Sequence, residues 1–177
     1  GITERLLDFS REGTHERGRT DLAELVTGVI DMVRHLGKYR EKEIVFHCDE
    51  VVYAQIDAQE IKQVVLNLVT NGLEALEPGG TLTIRLANRL DEVELLVIDD
   101  GCGMTTDVLA RVFEPFFTSR LDGKGNGLGL AITHRIITDH GGRIVATSDG
   151  PGQGSQFRVT LPIKQHEKES ERQYQAA

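Results

Sequence analysis

From Leu22 to Leu36 the apolar residues fall at positions 22, 25, 26, 29, 30, 33 and 36, the spacing of one helix face. Thr20 or Asp21 offers an N-cap to that helix and Gly37 a C-cap. Short apolar runs at 43–48 and 51–56 predict two strands around the acidic turn Asp49-Glu50. A longer helix is predicted over 57–76, stopped by Pro78-Gly79-Gly80. Two strands follow over 81–88 and 93–98, joined by a turn near Leu90-Asp91. Residues 101–129 are rich in glycine and read as mostly irregular. A third helix is predicted from near Gly127 to about His140, ended by Gly141-Gly142, and then strands over 142–147 and 156–161. Upstream, Ile2, Leu6, Leu7 and Phe9 keep helical spacing within residues 1–12, and the polar stretch 13–20 reads as a linker. Residues 164–177 have almost nothing to bury and read as a frayed tail, which leaves 21–163 as the folded unit.

Composition narrows the partners. The 177 residues are 39% hydrophobic and 27% charged, enough apolar material for one core. Lys+Arg of 20 against Asp+Glu of 28 gives −8, which argues against nucleic acid or an anionic membrane as the main partner. A small polyanion in a locally prepared pocket is still permitted. Cys48 and Cys102 belong to no CxxC pair, which argues against a zinc site or disulfide framework and for a reducing, cytoplasmic setting. Apolar runs such as Leu95-Leu96-Val97-Ile98 are far too short to cross a bilayer, and the first residues lack a signal-peptide pattern.

Three segments carry chemistry. On the helix predicted over 57–76, Glu60, Gln63, Asn67, Asn71 and Glu74 form one polar stripe. Its asparagines either bond neighbouring backbone or present carboxamides to a ligand or to Mg²⁺, which takes hard oxygen ligands. Next, the apolar strand ending at Ile98 runs into Asp99-Asp100-Gly101-Cys102-Gly103-Met104. Glycine lets a backbone approach a flat ligand, and an ionised carboxylate accepts from adenine's amino group while repelling a carbonyl at that edge. The plainer alternative is a tight turn with an acidic cap. Finally, Gly123-Lys124-Gly125-Asn126-Gly127-Leu128-Gly129-Leu130 opens onto a helix, the makings of an anion cradle, although flexible linkers share that composition. Neither Gly-Lys pair is followed by the Ser or Thr of a P-loop, and no Gly-x-Gly-x-x-Gly follows a strand.

The order of these segments resembles the ATP-binding catalytic domain of the two-component sensor histidine kinases, within the GHKL ATPase superfamily. Residues 63–75 look like its N box, 99–104 like its G1 box, 112–118 like its F box and 125–130 like its G2 box. The resemblance implies a Bergerat-type α/β two-layer sandwich, a mixed sheet of about five strands with three main helices on one face. It also implies the cofactors ATP and Mg²⁺. Asn71 would be the metal ligand, helped by Asn67 through water or the phosphates. Asp99 would read adenine in a pocket shaped by Gly101 and Gly103, with Met104 among the nucleotide-binding residues. Gly125, Gly127, Leu128 and Gly129 would cradle the phosphates, assisted by Arg120 and Lys124. Residues 105–124 would form a lid, with Phe113, Phe116 and Phe117 packing its base.

Where the hydrolytic members of the superfamily place a glutamate base, four residues before the metal asparagine, this chain has Asn67. An amide accepts no proton near neutral pH, so the resemblance implies phosphoryl transfer to a partner's histidine rather than hydrolysis. Glu74 also departs from the family, many of whose members carry a basic residue there. No histidine here has acceptor surroundings: His15-Glu16-Arg17 begins like an acceptor motif, but neither an apolar residue nor Pro-Leu follows. The implied partners are therefore the protein's own dimerisation domain, whose last helical turns residues 1–12 resemble, and a response regulator downstream. A GHKL-type hydrolase and a non-catalytic nucleotide-sensing module are the alternatives left open.

Overall fold

The computed structural model describes residues 16–118 and 127–164. Its elements in chain order are β1 (Gly18–Asp21), α1 (Leu22–Arg34), a 3₁₀ turn (Gly37–Tyr39), β2 (Glu43–His47), β3 (Tyr53–Ile56) and α2 (Ala58–Ala75). They continue with β4 (Thr81–Arg89), β5 (Glu92–Asp99), α3 (Thr106–Arg111), α4 (Gly129–Asp139), β6 (Arg143–Thr147) and β7 (Ser155–Pro162).

β2-β4-β5-β7-β6 form one five-stranded sheet, in which β2 and β4 are parallel and the other pairs antiparallel. Alternate residues of β4, β5 and β7 (Leu82, Ile84, Val93, Val97, Phe157 and Val159 among them) are buried in one core with the apolar faces of α1, α2 and α4. Thr83, Arg85, Leu96 and Arg158, which alternate with them, are half-buried or exposed, so the helices cover one face of a mixed sheet. This is the two-layer α/β sandwich expected from the sequence.

Local differences from the sequence reading have physical causes. Residues 43–56 do not close a hairpin. The Glu50 carboxylate accepts from the Asn88 backbone N–H at the far end of β4 (2.9 Å), and Asn88 Nδ2 donates to the Val51 carbonyl (3.2 Å). β2 thereby stays beside β4, whereas β3 pairs antiparallel with β1. The stretch expected as linker thus holds a strand, in register from Gly18↔Ile56 to Asp21↔Tyr53, with the Arg19 guanidinium 4.1 Å above the Tyr53 ring. α1 takes Asp21 as its cap, whose carboxylate accepts from the Glu24 N–H (3.1 Å). It ends at Arg34 rather than at Gly37, because Gly37 opens the 3₁₀ turn that buries Tyr39. A short helix, α3, capped by the Thr105 hydroxyl, interrupts the segment expected as irregular.

α2 and α4 are joined at the start and at the middle of α2. Near the start of α2, His140 is fully buried: its Nε2 accepts from the Asp57 N–H (3.1 Å), and its Nδ1 lies 2.8 Å from the Ile136 carbonyl. An imidazole that accepts at Nε2 is neutral and donates at Nδ1. His140 is thus a helix-end residue with a structural role. His140→Ala should cost roughly 2–4 kcal/mol, from the cavity plus the orphaned Asp57 N–H, as read by urea unfolding.

Candidate functional site

Asp99 ends the inward-facing row Val93, Leu95, Val97 of β5, so its carboxylate enters the core edge and is only 5% exposed. Burial pushes its carboxyl above the ordinary value of 3.8, opposed by the backbone N–H groups of Gly101 and Ser155 and reinforced by Asp100. One oxygen accepts from the Gly101 N–H at 2.9 Å. The neighbouring acid serves the backbone instead, since Asp100 Oδ1 accepts from the Thr81 N–H (2.8 Å) at the start of β4. Both carboxylates thus accept from backbone N–H groups, Asp99 within its own turn and Asp100 from β4, and Asp99 is the more buried of the two.

The loop after Asp99 is held between α2 and the β6–β7 connection. The Cys102 N–H donates to the Ala75 carbonyl (3.0 Å), and the Cys102 and Gly101 carbonyls accept from the Gly152 (2.7 Å) and Gly154 (3.1 Å) N–H groups. A Cβ at Gly101 would fall on the Ala75 carbonyl oxygen, and one at Gly103, whose φ is +65°, on that of Gly150. Met104 closes the loop by donating its N–H to Ser148 Oγ at 2.9 Å.

Along α2 the polar stripe runs from this loop toward α4. Asn67 Nδ2 donates to the Gly129 carbonyl (3.1 Å) and to Thr133 Oγ1 (3.3 Å). Its amide nitrogen is thus committed to the first turns of α4, which places its carbonyl oxygen as the group for any ligand role. Asn71 is half-buried one turn further along the same stripe. α1, α2 and α3 have side-chain caps in Asp21, Asp57 and Thr105, but at α4 the N-cap position is Leu128, which makes no side-chain cap hydrogen bond. Its first N–H groups point out of the helix with their partial positive charge, as an anion site requires. Gly127 precedes it at a φ of +66°, and its carbonyl accepts from the Phe116 N–H (2.9 Å).

The phenylalanines divide. Phe113 packs against His134 (5.4 Å between centroids) and Phe157 (6.4 Å), and Phe117 lies under the Arg111 guanidinium (4.5 Å). Phe116, at a φ of 64°, is 73% exposed, so it is not buried at the lid base as expected. Arg120, Lys124 and Gly125 lie outside the described residues, as do residues 1–12 and the tail beyond residue 164.

Residues 56–165 match the family described as histidine kinase-, DNA gyrase B-, and HSP90-like ATPase. The chain belongs to that family. It is 32% identical over 172 residues to the sensor histidine kinase ZraS of Klebsiella oxytoca, an alignment spanning 96% of this chain and 37% of ZraS. It is also 32% identical over 164 residues to the signal transduction histidine-protein kinase AtoS of Escherichia coli (strain K12), covering 92% of this chain and 26% of AtoS. The chain therefore spans little more than a third of the first of these relatives and about a quarter of the second. Among solved structures, the catalytic domain of histidine kinase ThkA superposes with a TM-score of 0.76 at 29% identity, over 84% of this chain and 97% of that one. ThkA in complex with the response regulator TrrA superposes at 0.77, again 29% identical, over 92% of this chain and 46% of that one.

In this ATPase-family chain the structure gathers Asp99, Gly101, Gly103 and Met104 at one end of α2, and Asn67 with Gly129 beside its middle. Sequence reading missed Ser148, Gly154, Ser155 and Thr133. The alternating glycines of Gly150-Pro151-Gly152-Gln153-Gly154 were a usable signal for the first three, since such spacing marks backbone packed against something. Thr133 left no signal, being one more residue on the inner face of a helix.

Proposed function

We propose that this chain binds Mg-ATP and transfers the γ-phosphoryl group to a histidine on a separate dimerisation domain, for passage to a response regulator. The observation that carries the reading is the pairing of a buried, backbone-held Asp99 with the N-terminus of α4, which has no side-chain cap, on either side of the polar stripe of α2. Asp99 reads the adenine amino group, the loop glycines admit the ring, and the start of α4 receives phosphate oxygens. Asn71 would hold Mg²⁺, which neutralises phosphate charge and orients the transferred group. Phosphoryl transfer asks mainly for positioning and charge stabilisation, and these residues supply both. Against the hydrolase alternative, Asn67 cannot accept water's proton, and its amide nitrogen is engaged by Gly129 and Thr133. The resemblance of ThkA, solved in complex with a response regulator, supports the downstream partner. No helix among the described residues is long and apolar enough to cross a membrane, and a cytoplasmic setting belongs to the same proposal.

With Mg-ATP alone the chain should take up no stable phosphate and hydrolyse ATP very slowly. With its dimerisation domain added it should yield an acid-labile, base-stable phosphohistidine. Linkage in one polypeptide raises the effective concentration of the acceptor to roughly millimolar, so the separated pieces need high concentrations. Asn71→Ala should abolish transfer and the Mg²⁺ dependence of ATP binding while leaving the far-UV circular dichroism unchanged. Turnover of several ATP per second without any acceptor would replace the kinase reading with the hydrolase.

A further inference from the structure

Ser148 belongs to no segment singled out by its sequence, yet its hydroxyl is bonded at both ends. Ser148 Oγ accepts the Met104 N–H at 2.9 Å and donates to the Gly154 carbonyl at 2.7 Å. Gly154 is itself set against Asp99: its N–H donates to the Gly101 carbonyl (3.1 Å), and a Cβ on it would fall on the Asp99 carbonyl oxygen. One half-buried side chain therefore ties the last residue of the loop after Asp99 to the strand start that packs against Asp99. The Gly101 N–H goes to the Asp99 carboxylate within the loop, while the Gly101 carbonyl and both backbone groups of Cys102 are tied to backbone. The Met104 N–H is held instead by a side chain from the β6–β7 connection, so on the nucleotide-binding reading the Ser148 hydroxyl fixes Met104 relative to Asp99.

We infer that Ser148 is a positioning residue of the adenine pocket, holding Met104 at the distance from Asp99 that an adenine ring needs. The inference rests on the nucleotide-binding reading above. Ser148 touches neither the polar stripe of α2 nor the start of α4, which Asn67 joins separately. Its loss should therefore loosen the adenine end and leave the phosphate end intact. An unpaired Met104 N–H and Gly154 carbonyl would turn to water, and the loop would sample positions that no longer fit the ring.

The experiment is calorimetric titration of ATP, with and without Mg²⁺, into the chain as it stands and into Ser148→Ala and Ser148→Thr, with amide hydrogen exchange at Met104. Ser148→Ala should bind ATP about tenfold more weakly, the equivalent of one lost hydrogen bond. The factor by which Mg²⁺ strengthens ATP binding should be unchanged, and Met104 exchange should accelerate. Ser148→Thr, which keeps the hydroxyl, should restore both affinity and protection. Unchanged ATP affinity in Ser148→Ala would overturn the inference. So would a loss that Ser148→Thr fails to restore, or one in which the Mg²⁺ factor falls in proportion, because either would mean general loosening. If the unsubstituted chain bound no ATP, the nucleotide-binding reading would fall and this inference with it. Unchanged affinity in Ser148→Ala alone leaves that reading standing.

Discussion

Asp99→Asn should weaken ATP binding roughly ten- to a hundredfold, the loss expected when a buried donor faces a donor. The amide presents an NH₂ where the exocyclic amino group of adenine needs an acceptor, and it gives up the charge that the Gly101 and Ser155 N–H groups now stabilise. Calorimetry should also show the preference for ATP over GTP shrinking in the variant, and GTP binding equal to ATP in the unsubstituted chain would end this account of Asp99. Acidity supplies an independent check with two opposite signs. Because burial raises the Asp99 pKa above 3.8, the folded chain holds this proton in a window where the unfolded chain has lost it. The stability contributed by this carboxyl is fully present below 3.8 and is lost as pH rises through the raised value. If Asp99 accepts from adenine as proposed, binding needs the ionised form, and affinity should fall as pH is lowered through the same window. Asp99→Asn should flatten the affinity profile there, as measured by titrations across acidic pH.

Gly101→Ala should remove measurable ATP binding and lower the unfolding midpoint as well. Its methyl group would land on the Ala75 carbonyl, which already accepts from the Cys102 N–H at 3.0 Å. Relief requires either the last turn of α2 or the loop to retreat, and both flank the proposed adenine site. Gly152→Ala is the matched control. Its φ of +75° makes alanine strained, but nothing lies within 4 Å of the added carbon. That variant should lose only about 1 kcal/mol in urea unfolding and keep its ATP affinity. Equal losses of binding in the two variants would show that backbone strain, rather than the contact with α2, governs the pocket.

What the chain's pattern reveals depends on how local each constraint is. The helical period of α2 and the polar stripe on it are written within a single element, and the end of β5 at Asp99 breaks an alternation that is equally local. β1 carries no such signature, since Gly18-Arg19-Thr20-Asp21 has no apolar residue and exists as a strand only because β3 lies beside it. Thr106–Arg111 sits among glycines and is too short for its period to stand out. The partner choice of β2 turns on Glu50 and Asn88, 38 residues apart, and the tie between Met104 and Ser148 spans 44. Neither pairing can be read before the sheet order is known. The asparagines show the same limit: spacing puts Asn67 on the polar stripe, but only packing shows its amide nitrogen spent on Gly129 and Thr133.

The small β1–β3 ladder has a mechanical consequence. A pull at residue 16 directed along β1 would load its register pairs together, in shear, instead of peeling them apart one by one. Sliding by a single position would exchange the faces of Arg19 and Thr20 and break the stack of Arg19 on Tyr53, so the ladder resists slipping. β1 passes without a break into α1, and β3 into Asp57, the cap of α2. Strain arriving from the N-terminal side is therefore shared at once between two core helices, and a flexible tether in the same place would have absorbed it.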